Sequence, residues 1–358
     1  MKLKGLILGG VLGLLSSQAI ALPIMDWQTL QTGHFTVFYP QSHEDKAWET
    51  LYYLEHYRSK VAKVVGHETP RTYIVLQDQG LQVNGYADPF RNQVSVFDVN
   101  TSSSGALITH ESWLRVVSVH ELTHRYQLDN AKGVNKTLTS LFGNIMSPNL
   151  SQPIGIIEGS AVYVESQLSP YEGRLNGGYF DALLLTKAKA DALDHWAQAN
   201  SLYAGFPYGQ WYLYGSGFIQ YLSRTYGQDR LAEYFNVSGE KTLSIGLGNI
   251  FPSFGPDAAA KEVYGMSLDA LYKDWVTQLK TLSAGWNVPT APPISTSRAF
   301  SKLALDSDSV FFLKETMDTV GPYETRWTSH LVRYDLSTGT SHNLTQFDTS
   351  FARIGMQK

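Results

Sequence analysis

The feature that most restricts the fold of this chain is a pair of histidines four residues apart, His120 and His124, with Glu121 directly after the first. Residues i and i+4 project from one face of an α-helix, so the two imidazoles can bind one ion while the Glu121 carboxylate lies beside it. Apolar residues recur at helical spacing on the same side: Trp113, Val116 and Val117. The segment is therefore predicted to be a helix that turns a metal site inward.

A third protein ligand is needed, because a catalytic zinc ion binds three protein side chains and keeps one position open for water. The metzincin pattern is excluded, since Gln127 and Asn130 occupy the places of its glycine and third histidine. The Gly-Thr and Asp segment of an aspzincin is not found either. A glutamate on a second predicted helix is available at Glu158. The sequence therefore favours a site made of two histidines and one glutamate.

The run Glu-Gly-x-Ala-x-Tyr-x-Glu that begins at Glu158, placed after H-E-x-x-H, resembles the gluzincin clan of zinc metallopeptidases. It is especially similar to bacterial peptidase MA-like domains, which are often followed by β-propellers, and the resemblance covers about residues 30 to 285. It implies a Zn²⁺ ion bound by His120, His124 and Glu158. It also implies that Glu121 is the general base in hydrolysis of a peptide or protein substrate.

The same resemblance gives a role to a tyrosine. In gluzincin aminopeptidases a tyrosine three residues before a glycine stabilises the oxyanion, and Tyr212 stands three residues before Gly215. Tyr212 is therefore the candidate, with Tyr214 in reserve. The alternative is that both are core aromatic residues in a chain with 21 tyrosines.

Two departures from better-known relatives limit what the resemblance implies. No Gly-x-Met-Glu-Asn segment is present to hold the amino terminus of a substrate, so aminopeptidase activity is not supported. Val162 stands where thermolysin-like enzymes have an aspartate, so the partner that orients His120 or His124 is not identified. Glu165 lies two helical turns after Glu158 and is either such a partner or a solvated carboxylate.

Residues 1–21 are predicted to be an export signal, with a charged start, an apolar stretch and the small-residue cleavage site Ala19-Ile20-Ala21. The mature protein is expected to begin at Leu22. Later in the chain, no run of about 18 apolar residues predicts a transmembrane segment. The chain has no cysteine, which excludes disulfides and cysteine ligands. We therefore expect an exported, soluble protein of bacterial type, periplasmic or secreted.

Residues 22–286 are predicted to form an α+β domain, with a small N-terminal sheet and a mainly helical zincin body. The predicted strands are His34 to Pro40, Thr72 to Leu76 and Asn92 to Val99, with a turn at Gly85 to Pro89. The predicted helices are Asp45 to Val65, the segment from Ser112 through the motif, Glu158 to Gln167, Tyr179 to Ala199, Tyr212 to Tyr226 and Leu268 to Leu282.

Clustered prolines predict a linker over residues 287–296. Residues 297–358 are strand-like and resemble the first blade of a TolB-like β-propeller, with a strand that ends at Asp335 and a Thr-Gly turn after it. One blade buries its faces only against neighbours, so we expect this segment to depend on contacts beyond itself or to continue into further blades. A small β appendage on the first domain is the alternative.

The formal charge of −4 lacks the basic field that nucleic-acid binding needs, so nucleic acid is excluded as a partner. A zinc peptidase is the favoured function. The first alternative is a non-catalytic metalloprotease-like scaffold, which would bind bacterial envelope proteins through the propeller-like segment. The second is a metal hydrolase with a substrate other than protein. The intact Glu121 favours an enzyme, because a scaffold has no chemical need for a base.

Overall fold

The computed structural model describes residues 26–78, 84–88, 90–98, 111–143, 147–201, 209–241, 255–287, 294–295, 304–321 and 324–348. The predicted export signal of residues 1–21 lies outside these ranges, and so does most of the predicted linker. Within them the protein has an α+β fold, as the sequence predicts, with a small sheet first and a mainly helical body after it. No helix in these ranges is both long enough and apolar enough to cross a membrane.

The first sheet has five strands in the order β1-β2-β3-β5-β4. They are β1 (Trp27–Gln31), β2 (Phe35–Pro40), β3 (Thr72–Gln77), β4 (Gly85–Asp88) and β5 (Gln93–Phe97). The central strands β2, β3 and β5 are parallel, while β1 and β4 join the two edges antiparallel. Because side chains alternate along a strand, Phe35, Val37 and Ile74 all lie on the core face and are fully buried.

Two helices cover the core face of this sheet side by side. Helix α1, Glu44–Val65, contacts β2, and helix α2, Trp113–Asp129, contacts β4 and β5. The apolar stripe of α1 buries Leu51, Leu54 and Val61, and the predicted bounds of this helix agree with the structure to within one residue. The helix that carries the histidine motif is therefore packed between the sheet, α1 and the helices that follow.

Strand β4 contradicts the prediction of a turn at Gly85 to Pro89, since residues Gly85–Asp88 pair antiparallel with β5 and form an edge of the sheet. The glycine is needed because this strand passes close to α2. A Cβ on Gly85 would lie 2.7 Å from Val117 Cγ2 and 3.1 Å from Glu121 Oε1. A glycine that suggests a turn in the sequence is here a point of close approach between backbone and site.

The body contains further helices in its described part: α3 (Gly133–Phe142), α4 (Ile154–Glu165), α5 (Tyr179–Lys189), α6 (Trp196–Ala199), α7 (Gln210–Tyr226), α8 (Gln228–Lys241), α9 (Pro256–Tyr264) and α10 (Leu268–Ala284). The prediction of one helix from Tyr179 to Ala199 is wrong, because α5 ends before a turn that separates it from α6. Asp191 in this turn has a φ of 52°, a left-handed conformation that ends a helix and that Asp adopts more readily than most residues.

Helices α4 and α7 approach each other closely because glycines face each other where they cross. A Cβ on Gly159 of α4 would lie 2.3 Å from the carbonyl carbon of Gly215 on α7. A Cβ on Gly215 would lie 2.1 Å from the carbonyl oxygen of Gly155, one turn earlier on α4. This contact fixes the spacing of two candidate site residues, because α4 carries Glu158 and α7 carries Tyr212.

The C-terminal segment forms a separate four-stranded sheet in which each strand pairs antiparallel with the next. Its strands are β6 (Ala304–Asp306), β7 (Ser309–Gly321), β8 (Glu324–Asp335) and β9 (Thr340–Asp348). Val310, Phe312 and Val332 form its small core. Four antiparallel strands are the strand count of one propeller blade, and membership of a propeller stays a prediction.

We expect Gly159→Ala to destabilise the protein by roughly 1–3 kcal/mol, because the added methyl group forces α4 away from α7. The steric cost of the methyl group is therefore expected to be larger than the gain of about 1 kcal/mol in helix propensity that alanine has over glycine. Urea unfolding of the wild type and the variant measures the difference. Gly33→Ala is the control, since a Cβ there meets nothing within 4 Å. Equal or greater stability of Gly159→Ala would contradict the tight crossing.

Candidate metal centre

Helix α2 is buried along almost its whole length, and its first turn is fixed by two side chains. The Ser112 hydroxyl accepts a hydrogen bond from the backbone N–H of Arg115. Glu172, from the loop after α4, accepts hydrogen bonds from the backbone N–H groups of Glu111 and Ser112 and from Arg115 Nε, the last at 2.6 Å. The Ser112 hydroxyl thereby satisfies one of the N–H groups that the start of a helix leaves without an intrahelical partner, and Glu172 fixes the residues directly before the helix.

Three side chains from two helices converge on one point. His120 Nε2 lies 3.3 Å from Glu158 Oε2, and His124 Nε2 lies 3.1 Å from both of these atoms. The two histidines are 6% and 7% exposed, and the Glu158 side chain is 18% exposed, so the cluster is mostly buried but accessible from the side of Glu158. Among the described residues this is the one group of three or more His, Asp or Glu side chains whose ligand atoms lie close enough to share an ion.

The donor set and its spacing fit a zinc ion. In a tetrahedral site with metal–ligand distances of about 2.0–2.1 Å, two ligand atoms are separated by about 3.3 Å, and the separations here are 3.1–3.3 Å. Two imidazole nitrogens and one carboxylate oxygen form a donor set typical of catalytic zinc. The cluster would hold the ion with three protein side chains, which leaves a fourth position for water.

The electrostatics of the cluster favour a cation. Burial tends to raise the pKa of Glu158, but the charge of His124 and hydrogen bonds from both histidines outweigh burial and hold this pKa well below its usual range. Burial tends to lower the pKa of His120, but hydrogen bonds with Glu158 and Glu165 raise it to about 9. The raised pKa of His120 reports the negative charge of the two carboxylates that face it, which a bound cation would also neutralise.

Glu165 settles the choice between an orienting partner and a solvated carboxylate that the sequence leaves open. It is fully buried, and its Oε2 lies 2.9 Å from His120 Nδ1. In the neutral form of His120 that binds a metal, Nδ1 donates its proton to Glu165 and Nε2 has a lone pair that faces His124 and Glu158. Burial tends to raise the pKa of Glu165, but the charge of Arg174 and its hydrogen bonds lower this pKa to about 2. Glu165 therefore stays ionised and able to accept.

Arg174 is a site residue that no sequence motif indicates. It lies in the loop between α4 and α5, where its Nε and Nη2 donate to the two oxygens of Glu165, each at 2.8 Å. Its guanidinium carbon lies 4.5 Å from the ring centroid of Tyr212. Only the contacts made by the folded chain reveal this residue, because one arginine in a loop has no periodicity or spacing that marks it.

Glu121 interacts electrostatically with all three residues of the cluster. Its side chain is 6% exposed, and burial raises the pKa of its carboxyl group above the ordinary value. Among the described residues no group donates a hydrogen bond to this carboxylate. Gly85 of β4 packs against it, as described above. The carboxylate therefore lies between the ligand cluster and the edge of the sheet.

The two candidate tyrosines have different surroundings. The ring centroid of Tyr212 lies 6.3 Å from that of His120, and the side chain is only partly buried. Burial raises the pKa of Tyr212 to about 12, so its phenol is protonated at neutral pH. The Tyr214 ring is 1% exposed, and its hydroxyl accepts a hydrogen bond from the backbone N–H of Asp194. The structure places Tyr212 beside the cluster and Tyr214 in the core.

His124, the second histidine of the motif, does not have an orienting partner like the one that Glu165 provides for His120. His124 Nδ1 is buried and has no hydrogen-bond partner within the described ranges. Other histidines lie outside the cluster and have partners of their own: His34 contacts Glu55, and His67 contacts Asp129. His110, also assigned to no site by the sequence, lies outside the described residues.

We expect the protein to bind one zinc ion per chain and to unfold at a higher temperature with zinc than with a chelator. A ligand at 100 times its Kd stabilises the folded state by about 2.7 kcal/mol. His124→Ala and Glu158→Ala should each abolish stoichiometric binding, while His56→Ala, on the exposed face of α1, should not. Metal content after gentle purification and thermal unfolding are the measurements. Absence of stoichiometric zinc in the wild type would count against the site.

No family model matches the chain. The chain is similar to a protein of Treponema pallidum (strain Nichols) that is described only as an uncharacterized protein, with 22% identity over 213 residues. The matched region is 58% of this chain and 19% of the Treponema protein, so the chain spans about one fifth of that relative's length. The description of this relative gives no activity, so any function has to be argued from the residues of the site.

Proposed function

We propose that the protein is a zinc-dependent peptidase of the gluzincin type, exported to the periplasm or secreted. The observation that carries the proposal is the convergence of His120, His124 and Glu158 on one point with 3.1–3.3 Å between ligand atoms. Glu121 stands beside this point on the same helix as the histidines. Three ligands, an open position and an adjacent carboxylate are the requirements of hydrolysis by an activated water.

Each residue then has a defined task. A zinc ion bound here would polarise a substrate carbonyl and lower the pKa of a water molecule. Glu121 accepts the proton of the attacking water and delivers it to the leaving amine. Tyr212 donates its phenolic O–H to the oxyanion that develops on the carbonyl. Glu165 holds His120 in the tautomer that presents Nε2 to the ion.

The edge strand β4 supports a peptide as substrate. β4 is an edge strand of the described sheet, and an extended peptide can bind a sheet edge by adding a further strand. Gly85 of this strand packs directly on Glu121, and a peptide that extended the sheet would therefore pass beside the base. This arrangement favours a peptidase over a metal hydrolase with a small or non-peptide substrate.

We expect Glu121→Gln to retain zinc and to lose hydrolysis by about 10²–10⁴-fold, because the amide cannot accept the proton of the water. Cleavage of a quenched fluorescent peptide library and the zinc content of the same samples are the measurements. Glu233→Gln is the matched control, since Glu233 is half exposed and pairs with Arg230 on α8. If Glu121→Gln hydrolyses peptides at the wild-type rate, Glu121 is not the general base.

We expect Tyr212→Phe to lower kcat by about 10²–10³-fold with zinc binding unchanged, because one oxyanion donor is lost. Tyr214→Phe is the control, since its hydroxyl bonds to the backbone of Asp194 in the core and should affect stability alone. Steady-state kinetics at saturating zinc measure both. A normal kcat in Tyr212→Phe together with a reduced kcat in Tyr214→Phe would transfer the role to Tyr214.

A further inference from the structure

The loop of residues 166–178 between α4 and α5 brings one cation into the centre of the site. Arg174 of this loop contacts the carboxylate that orients a candidate metal ligand and the ring of the candidate oxyanion donor. We propose that Arg174 is a positioning residue that couples the orientation of His120 to that of Tyr212. This inference rests on the proposed zinc peptidase function and adds a residue to its machinery.

The first half of the coupling is the pair formed by Arg174 and Glu165. Arg174 Nε donates to Oε1 and Nη2 donates to Oε2, both at 2.8 Å, and the backbone N–H of Arg174 adds a third bond to Oε1 at 3.1 Å. A bidentate pair of this kind fixes the plane of the carboxylate as well as its position. Oε2 is thereby held 2.9 Å from His120 Nδ1.

The same pair selects the tautomer of His120. Arg174 Nη2 lies 3.0 Å from His120 Nδ1, so an unpaired guanidinium could donate to this nitrogen and leave the proton on Nε2, where it would block metal binding. Glu165 Oε2 accepts from Nη2 at 2.8 Å and from Nδ1 at 2.9 Å. The carboxylate therefore accepts the hydrogen bond of the arginine and the proton of Nδ1. The Nε2 atom of His120 is left unprotonated and can bind the ion.

The second half of the coupling is the stacking of Arg174 on Tyr212. The guanidinium carbon lies 4.5 Å from the ring centroid, a distance typical of a cation–π contact. A guanidinium is planar, so its edge can bind a carboxylate while its face covers an aromatic ring. An ammonium group is a compact point charge and cannot hold both partners in fixed planes. Arginine is thus the one basic side chain suited to this double contact.

The loop itself is anchored, so Arg174 is not held by its side chain alone. Glu172, two residues earlier, accepts hydrogen bonds from the backbone N–H groups of Glu111 and Ser112, directly before α2. Asn176, two residues later, donates to the backbone carbonyl groups of Ser166 and Glu172. The loop therefore connects the start of the motif helix, the end of α4 and the ring on α7, and a change at Arg174 should act on the site without loosening these anchors.

The test compares Arg174→Lys, Glu165→Gln and Tyr212→Phe with the wild type. Zinc affinity is measured by competition with a chromophoric chelator, and kcat is measured at saturating zinc. We expect Glu165→Gln to lower zinc affinity about 10–100-fold and Tyr212→Phe to lower kcat alone. Arg174→Lys should do both, with zinc affinity reduced about 10–100-fold and kcat at full zinc occupancy reduced at least about tenfold.

Chemical denaturation separates these effects from a loss of fold. If Arg174→Lys does not fold, the double variant Glu165→Gln/Arg174→Gln replaces the buried ion pair with a neutral pair and is compared with Glu165→Gln. A lower kcat at full zinc occupancy in the double variant than in Glu165→Gln is then the expected result. Equal kcat in these two variants would overturn the coupling.

Three possible results separate the inference from the proposed function. A wild type that binds no zinc and cleaves no peptide would overturn both. A wild type that binds zinc and cleaves peptides, with an Arg174→Lys variant equal to it in zinc affinity and kcat, would overturn only the role of Arg174. A variant that loses zinc affinity but keeps kcat at full occupancy would overturn the link to Tyr212.

Discussion

The compensation of buried charge is the constraint on which the rest of the site depends. Glu165 is fully buried, while the side chains of Arg174 and Glu158 are 11% and 18% exposed. A buried ion without a partner costs several kcal/mol. Arg174 neutralises Glu165 in a bidentate pair. Among the described residues Glu158 makes its polar contacts with the two histidines, and a cation at the point where their atoms converge would neutralise its charge. Helices α4 and α7 therefore pack around the charged residues of the site, which α2 alone could not neutralise.

Glycines set the distances that this balance requires. The α4–α7 crossing at Gly159 and Gly215 lets the helix of Glu158 and the helix of Tyr212 approach backbone to backbone. Gly85 lets the edge of the sheet approach α2 at Glu121. A methyl group at any of these positions would overlap a neighbouring atom. The polar chemistry of the site and the close packing around it are therefore parts of one arrangement.

The sequence predicts the local part of this arrangement well and the non-local part poorly. Helical spacing places His120 and His124 on one face, and the position of Glu158 on a second helix follows from the search for a third ligand. Spacing cannot tell whether Glu165 is buried, because that depends on a loop nine residues further on. Arg174 leaves no pattern at all, and Gly85 indicates a turn where the fold has a strand, since its requirement comes from a helix distant in sequence.

Glu121 offers a physical reason to prefer an enzyme over a scaffold built on the same fold. Burial raises the pKa of its carboxyl group above the ordinary value, and a carboxyl group whose pKa is raised by folding lowers the stability of the folded state at neutral pH. A scaffold would gain stability from an apolar residue of similar size at this position. The carboxylate instead lies between the ligand cluster and strand β4, where the proposed reaction needs a base for the metal-activated water. The local cost is understandable if the group carries out chemistry.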